Sequence, residues 1–235
     1  MGLLTLLVAV AAARVFAGGQ PSRWAGWLLA GGTVMTVSAG LALSGLLART
    51  DVKPPLLQGM LVLVLGALLG YGLSRRGRLA GRSVDLAMIV LLQSFRLPLE
   101  VLMLHAARRG VMPLEFSMAG YNFDVLTGAL ALPLGLALAR GWKVPRALLL
   151  AWNLWGIGCL LVIVGLALAT SPNVGWFGQQ PQHLSLWVLR FPYVWLPVIL
   201  VAVAVYAHLV ISMQIWQRSA KPLTSTLSQP STSPS

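Results

Sequence analysis

The chain has 235 residues, of which 57% are hydrophobic and only 9% are charged. Soluble domains carry about 25% charged residues, so this composition excludes an ordinary water-soluble domain and indicates a membrane protein. The single cysteine, Cys159, excludes a disulfide scaffold, a cysteine-ligated zinc site and an iron–sulfur cluster.

Seven apolar segments are candidates for spanning helices, which need about 20 apolar residues. The first, Leu3–Ala13, is continued by a few residues beyond Arg14 and predicts a short helix, with a signal-like segment as the alternative. Another, Gly120–Ala139, is apolar after Asp124. The five longest are Trp24–Leu47, Pro54–Leu73, Val84–His105, Ala147–Thr170 and Tyr193–Ile215. The sequence therefore predicts an all-α polytopic transmembrane bundle of seven spans, or six if the first segment is cleaved or interfacial.

The basic residues fall mainly on one side of this predicted bundle. That side holds eleven of the seventeen: Arg14, Arg23, Arg75, Arg76, Arg78, Arg82, Arg140, Lys143, Arg146, Arg218 and Lys221. The opposite side holds Arg49, Lys53, Arg108, Arg109 and Arg190. Because cytoplasmic loops are enriched in Lys and Arg, we expect an outside N-terminus and a cytoplasmic C-terminus.

The formal net charge of +12 does not indicate a nucleic-acid-binding protein. The charges lie in short loops beside apolar segments, without the modules or interleaved aromatic residues that bind nucleic acids. We expect them to contact the anionic headgroups of a lipid bilayer. A single transmembrane domain is predicted for residues 1–217. The remaining residues, 218–235, are rich in Ser, Thr and Pro and predict a disordered cytoplasmic tail.

One predicted span, Val84–His105, carries several polar residues on one face. At 100° per residue, Asp85, Gln93, Arg96 and Glu100 fall within an arc of roughly 80°. Ionisable groups inside a span are costly and usually face the bundle interior or a cavity. Arg96 lies near the middle of the span, where an i, i+4 pair with Glu100 is expected, and the intervening Pro98 is expected to open the local hydrogen-bond ladder.

The next span begins with a polar segment that contains Asn122 and Asp124. Asp124 and Glu100 are expected at matching depth on consecutive antiparallel helices, and Asp124 lies in the first turn, where the helix dipole stabilises an anion. One interpretation is a buried Arg96–Glu100 ion pair, with Asn122 and Asp124 serving only as helix caps. The other is an outward-facing polar pocket formed by Arg96, Glu100, Asn122, Asp124 and Gln93.

Several chemistries are not expected. A retinal protein needs a lysine in its last span, and all three lysines lie outside the predicted spans. A membrane haem needs two histidines at matching depth, which His105 and His208 do not provide. The fingerprints of P-loops, dinucleotide sites, HExxH metalloproteases and GxSxG hydrolases do not occur. No cofactor, metal site or catalytic residue is predicted, although Asn153 is expected to form a hydrogen bond between helices.

Four motifs in the chain resemble those of a known family. They are QSFRLPLE at Gln93–Glu100, GYNFD at Gly120–Asp124, Trp152-Asn153, and FPYVWLP at Phe191–Pro197. Together they resemble an uncharacterised family of small bacterial inner-membrane proteins with six to seven spans. The resemblance covers roughly residues 84–215; it implies a bacterial inner-membrane location and transfers no mechanism.

These observations favour a membrane protein that binds or transports a small solute, an ion or protons through the outward-facing pocket. Its ligand would be small and polar or anionic, because Arg96 attracts negative charge. A less favoured alternative is an enzyme that uses Glu100 and Asp124 as an acid–base pair on a lipid-linked substrate. A third is a structural or accessory subunit, in which the polar residues only fix helix packing.

Overall fold

A computed structural model describes residues 1–49, 55–171, 174–176 and 184–219. These residues are mostly helical and form no strand. Most of the predicted tail, residues 220–235, lies outside the described residues, as do Lys53 and Lys221. The α-helices are α1 Gly2–Phe16, α2 Pro21–Leu43, α3 Leu56–Leu73, α4 Arg75–Arg82, α5 Leu86–Leu92, α6 Arg96–Arg108, α7 Asp124–Ala139, α8 Arg146–Ala169 and α9 Ala202–Ser219.

Among the described residues, five helical stretches are long and apolar enough to cross a membrane. They are α2, α3, the α5–α6 stretch Leu86–Arg108, α8, and the α9 stretch Leu196–Gln217. The other two predicted spans form shorter apolar helices, since α1 has 15 residues and α7 has 16. At 1.5 Å per residue, a helix of this length reaches about 24 Å, less than the hydrocarbon core of a bilayer. The all-α prediction is confirmed for the described residues, and the seven-span count stays a prediction.

Two breaks interrupt the longer stretches. A 3₁₀ turn at Gln93–Phe95 separates α5 from α6, and a π-helical turn at Leu196–Val201 precedes α9. The 3₁₀ turn lies just before Pro98, which has no amide proton and whose ring crowds the carbonyl four residues earlier. The predicted opening of the hydrogen-bond ladder at this proline is therefore confirmed.

The short helix α4 was not predicted, because its arginines resemble a basic loop. Ser74 caps it, with the hydroxyl accepting a hydrogen bond from the Gly77 amide at 3.1 Å. Its arginines are exposed, and its buried face consists of small residues. The Gln214 side chain fastens the end of α9 to this region by donating to the carbonyls of Gly81 at 2.8 Å and Val84 at 2.9 Å. We call this the α4 end of the bundle.

The opposite end carries the 3₁₀ turns Leu114–Phe116 and Leu186–Leu189. The rings of Phe116 and Trp187 meet there edge to face, with centroids 5.6 Å apart, and we call it the Trp187 end. Between the two ends, the α5–α6 and α9 stretches form the centre, because 56% and 67% of the residues in an 18-residue part of each are buried. In the corresponding parts of α2 and α3, which lie at the periphery, only 11% are buried.

Candidate functional site: a buried polar cluster

Polar side chains from α6, α7, α8, α9 and the segment before α7 meet inside the bundle, where hydrogen bonds link them through the Asp124 backbone amide. We call the set the polar cluster; its members are Arg96, Glu100, Asn122, Asp124, Asn153, His208 and Ser212. All except Ser212, which is half-buried, are at most 7% exposed. Polar groups buried to this extent need partners, because desolvation without a hydrogen bond costs free energy.

Arg96 lies at the centre of the cluster and is 1% exposed. Its Nη1 donates to Oδ1 of Asp124, forming a buried ion pair between α6 and α7. The predicted i, i+4 pair of Arg96 with Glu100 is therefore wrong. Asp124 is the partner because α7 approaches α6 closely at Gly128, where an added Cβ would lie 2.8 Å from the Leu97 nitrogen.

The second terminal nitrogen of the Arg96 guanidinium determines the protonation state and tautomer of His208. Nη2 of Arg96 lies 3.1 Å from Nε2 of His208. A guanidinium only donates, so Nε2 must accept and the ring must be neutral, with its proton on Nδ1. That nitrogen lies 2.9 Å from Oδ1 of Asn153 and donates to it. The Asn153 amide nitrogen then donates to the Ser212 hydroxyl at 2.8 Å, which confirms the predicted hydrogen bond between helices.

Glu100 lies on the Trp187 side of this centre and is 1% exposed. One of its oxygens accepts a hydrogen bond from Nδ2 of Asn122, which also donates to the Phe116 carbonyl at 3.2 Å. Oδ1 of Asn122 accepts from the Asp124 amide at 3.2 Å. Asn122 therefore joins the Glu100 carboxyl to the backbone of Asp124, and the structure brings together four of the predicted site residues.

The fifth predicted residue, Gln93, lies in the 3₁₀ turn and is completely buried. Neither polar atom of its side chain has a hydrogen-bond partner among the described residues. Asp85, which the sequence placed on the same polar face, is exposed and caps α5 by accepting from the Ala87 amide at 2.8 Å. It therefore takes no part in the cluster.

Sequence reasoning missed His208 and Ser212 as members of the site. Counted from the sequence at 1.5 Å per residue, Asn153 and Glu100 differ in depth by about 20 Å, so the pattern does not place Asn153 beside the carboxylates. In the structure, the side chains of Arg96 and His208 link Asn153 to Asp124. One signal was available: His208 and Ser212 are four residues apart, so they share one face of an otherwise apolar helix.

A glycine makes room for the imidazole. A Cβ on Gly156 of α8 would lie 2.4 Å from Cε1 and 2.6 Å from Nε2 of His208. Trp152, one turn earlier on α8, packs its ring 5.7 Å from the imidazole and donates its indole N–H to the Thr127 carbonyl at 3.0 Å. The apolar helices α7 and α8 thus hold the histidine in one position.

Some buried polar atoms of this region have no partner among the described residues. They are Nε of Arg96, Oε2 of Glu100, Oγ1 of Thr127 and both polar atoms of Gln93. Buried polar atoms without a partner are rare in native structures, and a bound water or ion is one explanation for them. The charges are unevenly paired as well. Asp124 neutralises Arg96, and Glu100 is left as a carboxyl without a paired cation.

The cluster is enclosed in this conformation, so the outward-facing opening predicted from the sequence stays a prediction. A family model described as a domain of unknown function, DUF8737, matches residues 53–216, more than half of the chain. The chain belongs to the DUF8737 family. The DUF8737 region contains every member of the polar cluster, whereas α1 and α2 precede it. No curated protein and no solved structure matches this chain.

Proposed function

We propose that this DUF8737 protein is a multi-pass membrane protein that takes up and releases a proton at Glu100 while it binds or transports a small solute or ion. The observation that carries the proposal is the Glu100 carboxyl itself. It is 1% exposed, one of its oxygens is hydrogen-bonded, and the other has no partner among the described residues. An unpaired charge at such a position is costly, so a proton or a cation would bind there.

The direction in which the hydrogen-bonded cluster runs supports a role of the cluster in transport across the bundle. The cluster begins beside Phe116 at the Trp187 end and reaches Ser212, two residues before Gln214 binds the α4 end. Arg96 lies in the middle, and a guanidinium does not release its proton at physiological pH. Proton exchange at Glu100 would therefore take place from the Trp187 end, and Arg96 would prevent a direct leak toward the α4 end.

The Arg96–Asp124 pair favours this role over acid–base catalysis. Asp124 is engaged with the guanidinium, so Glu100 is the carboxyl left for proton exchange. The exposed arginines of α4 support a cytoplasmic α4 end in a bacterial inner membrane, which would place the Trp187 end outside.

Infrared difference spectroscopy on the purified protein in lipid nanodiscs tests this proposal. A pH jump should change a carbonyl band of a protonated buried carboxyl in the wild type, and Glu100→Gln should remove that band. Glu115→Gln is the matched control, because Glu115 lies in an exposed turn near the same end. A band that persists in Glu100→Gln would overturn the proposal.

Transport is tested separately in proteoliposomes that contain a trapped pH-sensitive dye. With an imposed pH gradient, a candidate solute added outside should accelerate proton movement in the wild type and in Glu115→Gln. Glu100→Gln should abolish the acceleration. If Glu100→Gln changes only the unfolding temperature, while no small solute or ion ever moves protons in the wild type, the cluster is a scaffold.

A further inference from the structure

A large apolar cavity lies away from the polar cluster, among α1, α2, α3 and the π-helical turn before α9. Its volume is about 290 Å³, and small residues line much of it, among them Ala12, Ala30, Gly31 and Ala67. Leu63, which also lines it, is 71% exposed. The cavity therefore opens between α2 and α3 toward the surface that would face lipid, and it has the apolar lining that an acyl chain requires.

A second cavity of about 330 Å³ continues the first toward the α4 end. The two share Trp27, Ala67 and Leu68 as lining residues, and the second adds Arg23 and Tyr71. The continuous space has an apolar body and a cationic mouth. We call it the α2–α3 groove.

Aromatic rings surround the junction of the two cavities. Trp27 lies 5.7 Å from Tyr71 and 5.2 Å from Tyr206 between ring centroids, and Phe16 contacts Tyr206 at 4.8 Å. Tyrosine and tryptophan are favoured at the headgroup level of a bilayer, where one end of the ring is apolar and the other is wet. Trp27 and Tyr71, the partly exposed rings of this group, therefore mark the depth at which a lipid chain would give way to its headgroup.

Arg23 supplies the charge at that depth. Its Nη1 donates to the Ser83 hydroxyl at 3.1 Å, which holds the side chain at the mouth of the groove. A guanidinium has five N–H donors, so others can meet phosphate oxygens. The exposed arginines of α4 lie at the same end and add to the positive potential.

We propose that the α2–α3 groove binds one anionic phospholipid, with an acyl chain in the apolar cavity and the phosphate at Arg23. The charge complementarity selects a lipid over a helix of another protein, because an apolar helix brings no anion to Arg23. The site goes beyond the proton exchange proposed at Glu100, and it uses helices α1 and α2 that precede the DUF8737 region.

Native mass spectrometry with added dioleoyl phosphatidylglycerol or dioleoyl phosphatidylcholine tests the site. We expect one phosphatidylglycerol to stay bound at collision energies that strip phosphatidylcholine. Arg23→Ala should reduce this preference to near equality, whereas Arg146→Ala should preserve it, because Arg146 is an exposed arginine away from the groove.

The second part of the test fills the groove with a larger side chain. A Cβ on Gly31 meets no atom within 4 Å, so Gly31→Leu can place its side chain in the cavity, and we expect it to weaken phosphatidylglycerol binding about tenfold. Gly32→Leu is the matched control, because Gly32 has the same free space and does not line the cavity. If Gly31→Leu fails to fold, Ala67→Leu fills the groove from α3.

Equal binding in Gly31→Leu and Gly32→Leu would overturn the proposal. So would a dimer that excludes lipid and is lost in Gly31→Leu, because the groove would then hold a second copy of the chain. Glu100→Gln should bind phosphatidylglycerol like the wild type, so failure of the lipid site and failure of proton exchange are distinguishable.

Discussion

Replacing Gly156 by alanine tests whether the polar cluster holds the bundle together in the arrangement described. The new Cβ would lie 2.4 Å from Cε1 of His208 and 2.9 Å from Cγ2 of Thr127, closer than real Cβ contacts. His208 is 1% exposed, so its ring can move only by disturbing its neighbours. The movement would break or weaken its hydrogen bonds to Arg96 at 3.1 Å and Asn153 at 2.9 Å.

Three effects set the expected change in the free energy of unfolding. Alanine is favoured over glycine in a helix interior by about 1 kcal/mol. Overpacking costs about 1–3 kcal/mol, and the loss of a hydrogen bond to a charged group costs about 1.5–3 kcal/mol. The sum predicts that Gly156→Ala destabilises the protein by about 1.5–5 kcal/mol.

Gly158→Ala is the matched control, since a Cβ at Gly158 on the same helix meets no atom within 4 Å. The assay is equilibrium unfolding in mixed micelles with increasing sodium dodecyl sulfate, followed by tryptophan fluorescence. Gly158→Ala should unfold at the same concentration of sodium dodecyl sulfate as the wild type or at a higher one. Gly156→Ala should unfold at a clearly lower concentration. In a His208→Ala background, the cost of Gly156→Ala should be clearly smaller, because the two closest contacts are gone and only the Thr127 contact at 2.9 Å remains.

Two results would refute this reasoning. If Gly156→Ala is as stable as Gly158→Ala, the imidazole does not occupy the space beside α8. If the cost of Gly156→Ala is unchanged after His208 is removed, the alanine disturbs something other than the histidine and its hydrogen bonds.

Three further changes probe the contacts around this centre. Arg96→Ala should lower the free energy of unfolding by about 3–5 kcal/mol, because Asp124 stays buried without a cation. Adding Asp124→Asn should recover part of the loss in the same assay. A double variant whose two effects are purely additive would contradict the ion pair. Trp152→Phe should cost about 1 kcal/mol by removing the hydrogen bond to Thr127, and unchanged stability would count against that bond. Gln214→Ala should speed hydrogen exchange in α4, and unchanged exchange would show that other contacts hold α4.

The helical segments were predictable because apolar composition and the positions of charged residues carry most of that information. The long apolar runs became helices, with ends shifted by a few residues. The helix α4 was missed for a physical reason: its buried face is made of Gly77, Ala80 and Gly81, which give no hydrophobic periodicity. Its packing against α9 is a contact between distant parts of the chain, so only the folded structure shows it.

The site was predicted in part. Matching depth on consecutive helices correctly brought Glu100 near the polar segment that contains Asn122 and Asp124, because residues along a helix rise by a fixed distance. The partner of Arg96 was predicted wrongly, because spacing within one helix favours Glu100 and ignores how closely α7 can approach. His208 and Asn153 are 55 positions apart in the chain, and no spacing rule relates residues on separate helices.

The sequence by itself determined that this protein is helical and apolar, and that a few ionisable groups are buried in its interior. Those properties follow from composition and from periodicity along one helix. Only the tertiary structure decided which buried groups are partners. Glycines at 128 and 156 let neighbouring helices approach within contact of Arg96 and His208, and that approach selected the Asp124 ion pair and left Glu100 without a cation.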